Sequence, residues 1–467
     1  MLPASRPFET ALGIVEKLRA EGYEAYLAGG CVRDLLLGRE PVDYDVATSA
    51  TPDVVLEMFP RTFAVGAHFG VVLVASDDNE NRETGPHSFC TEVATFRSDL
   101  AYSDGRHPDG VRYTESAEED VRRRDFTING LLLDPLRGGR PLEEHFGDLR
   151  LLHSAVLDYV GGLADLDASI VRAIGRAETR FEEDHLRMLR AVRFAARFGF
   201  ELEAETARAI RALAARIHAV SRERIRDELT KMLTEGHARR AFELLDETGL
   251  LAEVLPEIAR MKGVAQPPQF HPEGDVWIHV LLILDQLAEG CAATLAWGAL
   301  LHDVGKPPTF KRAPDRIRFD GHVEVGIAMG AEICRRFRFS NEETRQVLAL
   351  IENHMRFADA PRMKESTLKR FFRLEGFDEH LALHRMDCMA AHGNLDIYDF
   401  VRARRAAMSE EVVRPRPLVA GRDLIAAGYA PGPAFKEMLT AVEDAQLEGA
   451  IATPEEAMRL VRERFGG

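Results

Sequence analysis

The stretch Tyr26–Thr48, YLAGGCVRDLLLGREPVDYDVAT, decides the fold of the first part of the chain. A short apolar run predicts a strand that ends at Gly29-Gly30, and the residues after the glycines predict a helix. A second predicted strand carries Asp43 and Asp45, and residues two apart in a strand point to the same face. Backbone N–H groups at a glycine corner that opens a helix can bind an anion. The stretch therefore predicts an anion-binding corner beside a pair of carboxylates.

The corner and the carboxylates suit the chemistry of a nucleoside triphosphate. Arg33 lies one turn into the predicted helix, where its guanidinium can reach a phosphate. Paired acidic oxygens beside a phosphate can hold two Mg²⁺ ions, one at an attacking and one at a leaving oxygen. Either motif alone is more often a simple turn or a solvated pair. Their combination in this order predicts nucleotidyl transfer, with Asp43 and Asp45 as catalytic metal ligands and Gly29, Gly30 and Arg33 at the phosphates.

The motifs GGCVRDLLLG and DYDVAT closely resemble those of the class II tRNA nucleotidyltransferase and bacterial poly(A) polymerase family. The resemblance implies an α+β fold, in which an N-terminal head of the polymerase-beta type, with a mixed sheet and helices, precedes an all-α neck and further helical domains. It also implies tRNA as the substrate, with CTP and ATP as the nucleotides.

The composition is that of an ordinary soluble protein with several domains. The chain has 467 residues, 46% of them hydrophobic and 29% charged, and is too long for one hydrophobic core. No apolar run approaches the length of a membrane span and MLPASRPFET lacks a signal-peptide pattern, so we expect a cytoplasmic protein without a membrane partner. The five cysteines include no CxxC pair, which disfavours a disulfide framework or a zinc site. The net charge of −16 argues against non-specific coating of nucleic acid, although the arginine-dense segments 187–197 and 222–226 can form a local basic surface.

Two further segments of the predicted head match motifs of the same family. The predicted strand FCTEVATF contains Glu92, and the resemblance makes its carboxylate the third acidic residue of the metal site. The motif RRDFTIN places Arg124 and Asp125 before a helix predicted to begin near Thr127, with Asn129 in its first turn. Such groups can hold a ribose, with the carboxylate accepting from the 2′-OH and the arginine meeting a phosphate. The resemblance assigns this motif to ribose recognition.

A long helix is predicted over residues 181–200, FEEDHLRMLRAVRFAARFGF. Asp184 and Arg187 are three residues apart and would share one helix face, and Arg190 and Arg193 continue the same stripe. In an arbitrary helix such a pair is usually an exposed ion pair. The EDxxR pattern matches the family, and the resemblance implies that Asp184 and Arg187 read the incoming base while Arg190 and Arg193 meet the triphosphate. Cytosine and adenine both offer an amino group to the carboxylate and a ring nitrogen to the arginine, whereas guanine and uracil offer the opposite pattern.

A second set of polar residues lies on or beside predicted helices in the C-terminal half. Imidazoles and carboxylates are good ligands for Mn²⁺, Fe²⁺, Ni²⁺ or Mg²⁺, although a single histidine is more often structural. The pattern H…HD…D around LLHDVGKP resembles the HD phosphohydrolase superfamily. The resemblance implies a divalent metal, whose identity the sequence leaves open, and hydrolysis of phosphomonoesters or cyclic phosphodiesters. The expected ligands are His279, His302, Asp303 and Asp387, with His322 and His354 as further candidates.

These motifs divide the chain into four predicted parts. They are a nucleotidyltransferase head over 1–150, a helical neck with the nucleotide-selecting helix over 151–265, an all-α HD domain over 266–410 and a helical tail over 411–467. The Pro- and Gly-rich segment 263–276 is interpreted as a domain boundary.

The favoured interpretation is template-independent addition of CCA to the 3′ end of tRNA by two-metal transfer that releases pyrophosphate, with phosphohydrolase activity open as a second function. A poly(A) polymerase or an A-adding enzyme is the alternative within the class. The stretch 97–118, predicted to be a functional loop, argues against addition of C alone, and FPRTFAVGAHFGVVLV lacks the Arg-rich form of the poly(A) polymerases. An HD phosphohydrolase whose head only binds substrate is the alternative from another class. A non-catalytic RNA-binding protein fits poorly with intact acidic residues, and the sequence leaves the oligomeric state open.

Overall fold

A computed structural model of the chain describes residues 5–63, 70–75, 90–99, 110–137, 149–314 and 316–466. The chain divides into two compact units, of which the first comprises Met1–Met232 with Arg240–Leu255 and the second Leu233–Arg239 with Pro256–Gly467. Within the described ranges, no helix combines the length and the apolar character that a membrane span needs.

The first unit combines strands and helices. Its strands are β1 (Ala25–Ala28), β2 (Asp45–Thr48), β3 (Thr62–Phe63), β4 (Val71–Ala75), β5 (Cys90–Thr95), β6 (Arg97–Asp99), β7 (Val111–Tyr113), β8 (Leu131–Leu133), β9 (Val156–Asp158), β10 (Ile170–Val171) and β11 (Glu201–Leu202). Its helices, of which α10 and α11 extend into the second unit's residues, are α1 (Arg6–Ala20), α2 (Gly30–Leu36), α3 (Pro52–Met58), α4 (Ala117–Arg122), α5 (Leu149–Ala155), α6 (Gly162–Asp167), α7 (Ala177–Glu183), α8 (Leu186–Phe198), α9 (Ala204–Leu213), α10 (Arg222–Thr234), α11 (Ala238–Glu247) and α12 (Leu250–Val254). Short 3₁₀ helices cover Thr127–Asn129 and Ala214–Ala219.

Seven described strands form one mixed sheet in the order β3-β4-β5-β2-β1-β8-β9. The pairing of β2 with β5 is parallel, and the other pairings in this sheet are antiparallel. Strands β1, β2 and β5 are therefore neighbours at its centre. Val46 and Leu27 are fully buried on these strands, which explains their apolar sequences. This arrangement places two of the three predicted acidic residues, Asp45 and Glu92, on adjacent central strands.

The stretch 97–118, which was predicted to be a loop, contains two short strands. The described ends of the predicted loop 97–118 form the antiparallel ribbon β6–β7, in which Arg97 is opposite Tyr113, and residues 100–109 lie outside the described ranges. Such a ribbon is held by backbone pairing and does not need the apolar periodicity that sequence patterns reveal. Residues 156–158 form β9, which pairs with β8 at one edge of the sheet. Strands β3 and β4 form an antiparallel pair, with Thr62 opposite Val74.

The second unit is mainly helical, as predicted. Its elements are α13 (Pro256–Ala259), α14 (Val276–Leu284), α15 (Ala293–Leu301), α16 (Lys306–Thr309), β12 (Lys311–Arg312), β13 (Ile317–Arg318), α17 (His322–Arg336), α18 (Asn341–Asn353), a 3₁₀ helix (His354–Arg362), α19 (Glu365–Phe371), α20 (Phe377–Ala390), α21 (Asp396–Ala406), α22 (Glu410–Val413), α23 (Gly421–Ala426), α24 (Pro433–Leu447) and α25 (Pro454–Phe465). The predicted metal ligands lie on α14, α17 and α20 or directly after α15 and α18.

Candidate active site and histidine-rich site

The corner between β1 and α2 is a tight strand-to-helix turn. Gly29 adopts a φ of +72°, and its N–H donates to the carbonyl oxygen of Leu131 at 3.0 Å. A Cβ at this position would lie 2.9 Å from Nη1 of Arg124. The positive φ and the close arginine both favour glycine here. The guanidinium of Arg124, which belongs to the RRDFTIN motif, therefore lies at this corner.

The carboxylates of Asp43, Asp45 and Glu92 lie close enough beside the corner to interact electrostatically. Asp45 begins β2, and Glu92 lies on the adjacent parallel strand β5. Burial, together with the negative charges of Glu92 and Asp43, raises the pKa of Asp45 to about 6, while Arg124 acts in the opposite direction. A bound divalent cation relieves repulsion of this kind. The donor set therefore fits a divalent metal.

Asp43 lies before β2, so the prediction that both aspartates lie in the strand is wrong. The partner of Asp45 is Ala28, the last residue of β1, and Gly29 then turns into α2. No residue of β1 is left to pair with Asp43. Among the residues that the structure describes, Asp43, Asp45 and Glu92 do not form a group whose ligand atoms all lie within 4.8 Å of one another.

Arg33 is buried, with 4% of its surface exposed. Its Nη1 donates to Oδ1 of Asn129 at 2.5 Å and its Nε donates to Asp34 at 2.9 Å. Its guanidinium also lies 4.5 Å from the ring centre of Phe198. These contacts connect α2 to the RRDFTIN motif and to α8. The contact between Arg33 and a phosphate stays a prediction.

Asp125 is held by the protein in a network with two other predicted nucleotide-binding residues. Arg190 Nη2 donates to its Oδ2 at 2.7 Å, and Asn129 Nδ2 donates to its Oδ1 at 3.0 Å. Burial raises the pKa of Asp125, but Arg190 and Asn129 outweigh burial and lower it to about 2. Because this pKa is below its value of about 3.9 in an unfolded chain, the network stabilises the fold fully above about pH 4, and this contribution is lost as the pH falls towards about 2.

The helix predicted over 181–200 is two helices, α7 and α8, that meet at Asp184. This residue has an extended backbone, with φ −145° and ψ 106°, and its Oδ1 accepts the N–H of Leu186 at 3.0 Å. An aspartate that accepts from the first turn of the next helix competes with helix continuation. The prediction that Asp184 and Arg187 share one face of a single helix is therefore wrong.

Asp184 and Arg187 also have different partners. Arg224 of α10 donates from Nη2 to Oδ2 of Asp184 at 2.8 Å. Arg187 donates from Nη1 to Glu183 at 2.6 Å and to the carbonyl oxygen of Arg180 at 3.1 Å. The residues of the EDxxR motif are thus arranged by contacts across α7, α8 and α10.

Arg193 is paired inside the first unit. Its Nε donates to Oε2 of Glu228 in α10 at 2.7 Å, and the two side chains are only 6% and 5% exposed. It lies with Arg187 and Arg190 in segment 187–197, and Arg224 lies in segment 222–226; these are the two segments for which the sequence predicts a local basic surface. All four arginines pair with carboxylates, so much of their charge is neutralised within this unit.

We expect Glu228→Gln to destabilise the first unit by about 3 kcal/mol, because a buried arginine loses its opposite charge. The midpoint of urea-induced unfolding, followed by circular dichroism, measures this effect. The matched control is Glu205→Gln, which breaks the exposed Arg208–Glu205 pair and should change stability by less than about 1 kcal/mol. Equal effects of the two substitutions would contradict a stabilising role for the buried pair.

The six predicted HD ligands come together in the second unit. They form two groups, in each of which the ligand atoms lie within 4.8 Å of one another: His279, His302 and Asp387, and Asp303, His322 and His354.

Each of the four histidines has one ring nitrogen fixed by the protein. Nδ1 of His302, His322 and His354 lies 2.9, 3.0 and 2.7 Å from the carbonyl oxygen three residues earlier in the chain. Nδ1 of His279 lies 2.7 Å from Oε1 of Glu273. The Nε2 atoms of all four are buried without a hydrogen-bond partner of acceptable geometry. Histidines that ligate a metal typically have the second ring nitrogen engaged in this way, so the site fits a divalent metal.

Asp303 belongs to the second group and also lies close to the first. Its Oδ2 is 3.1 Å from Nε2 of His302 and 2.7 Å from Nζ of Lys306, and its Oδ1 is 3.8 Å from Nε2 of His354. Burial raises the pKa of Asp303, but His302 and Lys306 outweigh burial and hold it well below its ordinary value. The carboxylate is therefore ionised and faces both groups of candidate ligands.

Comparison with known proteins gives the family. The family described as Poly A polymerase head domain matches residues 25–172, the Probable RNA and SrmB- binding site of polymerase A matches 199–262, and the HD domain matches 276–386. A CCA-adding enzyme of Streptococcus thermophilus is 32% identical over 457 residues, which cover 97% of this chain and 95% of that relative. The chain belongs to the CCA-adding enzyme family.

Other members of the CCA-adding enzyme family show the same likeness. A CCA-adding enzyme of Geobacillus thermodenitrificans is 42% identical over 253 residues, or 54% of this chain, and the chain spans only 56% of that relative. A crystal structure of the Bacillus stearothermophilus CCA-adding enzyme in complex with CTP matches with a TM-score of 0.70 and 28% identity, over 98% of this chain and 99% of that one. The predicted fold class and the resemblance to this family are confirmed.

Several residues that build these sites in this member of the CCA-adding enzyme family were not predicted from the sequence. Arg224 and Glu228 contact predicted nucleotide-binding residues, and their spacing of four on one helix was a signal that could have indicated a shared face. Glu273 lies in the segment that was interpreted as a boundary, and only its position six residues before His279 hinted at the contact.

Proposed function

We propose that this protein adds CCA to the 3′ end of tRNA from CTP and ATP without a nucleic-acid template and releases pyrophosphate, in the cytoplasm. The observation that carries the proposal is that the negative charges of Glu92 and Asp43 act on the buried carboxylate of Asp45 beside the glycine corner, in a chain of the CCA-adding enzyme family. The crystal structure with CTP and 28% identity to this chain supports CTP as one substrate. The proposed division of labour is a head over 1–150, a nucleotide-selecting neck over 151–265, an HD domain over 266–410 and a tail over 411–467.

Asp43, Asp45 and Glu92 are the residues that would hold divalent cations, for which we propose Mg²⁺. Such ions, when bound, supply charge stabilisation to the attacking 3′ oxygen and to the leaving pyrophosphate. The backbone of Gly29 and Gly30 lies at the corner where phosphate oxygens are expected, with Arg124 beside it. Asp125 and Asn129 are the proposed ribose contacts, and their mutual hydrogen bond holds them in place before substrate arrives.

We propose that Asp184 and Arg187 select the base. Oδ1 of Asp184 accepts from Leu186 N–H at 3.0 Å and from Arg224 Nη1 at 3.5 Å. Its Oδ2 has one protein partner, Arg224 Nη2, and a carboxylate oxygen can accept a second hydrogen bond. An exocyclic amino group of cytosine or adenine can therefore join Asp184 without displacing Arg224. Arg190 and Arg193 are the proposed contacts to the triphosphate. In the structure Arg190 pairs with Asp125 and Arg193 pairs with Glu228.

The experiment that tests this function uses tRNA transcripts that end before CC, after CC and after CCA. We expect two C additions to the first with CTP alone, one A addition to the second with ATP, and no extension of the third. Repeated A addition would indicate a poly(A) polymerase, and failure to use CTP would indicate an A-adding enzyme. Either result would contradict CCA addition.

We propose divalent-metal-dependent phosphohydrolysis as a second function, located in the HD domain. The observation that favours it is the set of four buried Nε2 atoms without a hydrogen-bond partner of acceptable geometry, two of which lie within 3.1 Å of the carboxylates of Asp387 and Asp303. His279, His302, Asp303 and Asp387 would hold the metal, with His322 and His354 as the remaining ligands. Mn²⁺, Fe²⁺, Ni²⁺ and Mg²⁺ are the candidate ions for this donor set. When bound, such an ion can activate a water molecule for attack on a phosphoester.

A further inference from the structure

The segment that precedes α14 contributes a buried carboxylate to the histidine-rich site. Glu273 is only 6% exposed. Its Oε1 lies 2.7 Å from Nδ1 of His279 and 2.8 Å from Nδ1 of His271. Its Oε2 is buried without a hydrogen-bond partner. One oxygen of Glu273 therefore connects two imidazoles, on the side of His279 that faces away from Asp387.

The distances distinguish a hydrogen-bonded arrangement from a third group of metal ligands. Two ligands held tetrahedrally at about 2.1 Å from one ion lie about 3.4 Å apart. Distances of 2.7 and 2.8 Å between Glu273 and the two imidazoles are those of N–H···O hydrogen bonds with a charged partner. A proton on each Nδ1 thus accounts for the geometry better than an ion does.

His279 differs from the other three histidines of the site in the group that orients it. His302, His322 and His354 use backbone carbonyl oxygens, which no side-chain substitution removes. His279 depends on the carboxylate of Glu273. A carboxylate on Nδ1–H keeps the lone pair on Nε2 and makes the imidazole a stronger ligand. The affinity of the site for metal therefore depends on a residue that contacts no metal.

We propose that Glu273 is a positioning residue, which holds Nδ1 of His279 protonated so that Nε2 faces the metal site. This inference rests on the proposed binding of a divalent metal by the HD domain. Segment 263–276, which belongs to the second unit, is then part of the wall of that site. Gln266 of the same segment accepts from Lys306 at 2.7 Å, and Lys306 in turn pairs with Asp303.

Titration calorimetry with Ni²⁺ tests the inference in the full chain carrying Asp43→Asn and Asp45→Asn, which removes the proposed metal ligands of the head. We expect Glu273→Gln in this background to raise the Kd for Ni²⁺ by about 10- to 100-fold, because a neutral amide of the same shape can turn its NH₂ group towards Nδ1. The matched control is Glu289→Gln, an exposed glutamate of the same unit, which should leave the Kd unchanged.

The outcomes separate this inference from the proposed function. If the chain without the Glu273 substitution binds no Ni²⁺, the proposed metal site of the HD domain is wrong. If it binds Ni²⁺ and folded Glu273→Gln binds equally well, the positioning role is wrong. Should Glu273→Gln not fold, Glu273→Asp, whose carboxylate is retracted by one methylene, must show the same weakening.

A spectroscopic readout distinguishes positioning from a general structural role. In the Zn²⁺-loaded protein, histidine-selective ¹⁵N NMR should show a strongly deshielded Nδ1 proton on His279, bonded to a carboxylate. We expect this signal to move upfield in Glu273→Gln while the signals of His302 and His354 stay in place. An unchanged His279 signal would contradict the proposal.

Discussion

Replacing Asp43 and Asp45 together with asparagine is expected to abolish CMP incorporation into tRNA. Asparagine keeps the size of each side chain but removes the charges that would hold metal ions between the attacking and leaving oxygens. The loss of about 4 kcal/mol or more of transition-state stabilisation corresponds to a decrease of about 10³-fold or more in the rate of the chemical step. Single-turnover incorporation of labelled CMP measures this rate. Binding of Ni²⁺ to the HD domain should be unaffected.

The matched control is Asp53→Asn, since Asp53 is an exposed aspartate at the start of α3 in the same unit. It should retain full incorporation. If the double variant still incorporates CMP, the head is not the catalytic centre. If a folded double variant loses both CMP incorporation and Ni²⁺ binding by the HD domain, two separate sites are contradicted.

Asp303→Asn is expected to weaken metal binding by the HD domain and to leave CMP incorporation by the head intact. The carboxylate of Asp303 lies close to both groups of candidate ligands and beside Lys306, so its charge is central to the whole site. We expect Ni²⁺ affinity to fall by about 100-fold, at the upper end of what loss of one partner in a metal site costs, and any metal-dependent hydrolysis of a cyclic phosphodiester to fall with it. CMP incorporation should stay within about twofold of the wild-type rate, a change of less than about 0.5 kcal/mol.

The control for this substitution is Asp359→Asn, which alters an exposed ion pair with Arg362 in the same unit. It should change neither metal affinity nor hydrolysis. Retention of Ni²⁺ binding by Asp303→Asn would exclude Asp303 as a ligand. A loss of CMP incorporation, with circular dichroism unchanged, would show that the HD site contributes to the head reaction.

Local sequence patterns correctly predicted those elements of the head that depend on neighbouring residues in the chain. The glycine corner, β1, β2 and β5 follow from short-range rules of turn chemistry and strand pattern, and these rules placed Asp45 and Glu92 on strands that prove to be neighbours. The predicted β2 included Asp43, but the observed strand begins two residues later at Asp45. Its start is set by β1, whose last residue, Ala28, pairs with Asp45. Strand partners are a property of the folded sheet.

The sequence did not predict which charged side chains pair with one another. Asp184 was expected beside Arg187 at helical spacing, but it interrupts the helix and pairs with Arg224, forty residues further along the chain. Glu273 was missed for a related reason, since a Pro- and Gly-rich segment usually marks a boundary and gives no periodic signal. In both cases a tertiary contact decides between several acidic and basic side chains that are locally equivalent.

In the proposed function, side chains of this protein select C and A and join them to tRNA at the three carboxylates of the head. The most direct measurement is extension of a tRNA transcript lacking CCA, without added template, with each of the four nucleoside triphosphates and with CTP and ATP together, resolved at single nucleotides. We expect two additions with CTP alone, three additions ending in A with CTP and ATP, and none with GTP or UTP. Extension with GTP or UTP at rates similar to CTP, or no extension with CTP and ATP, would contradict selection of C and A by these side chains.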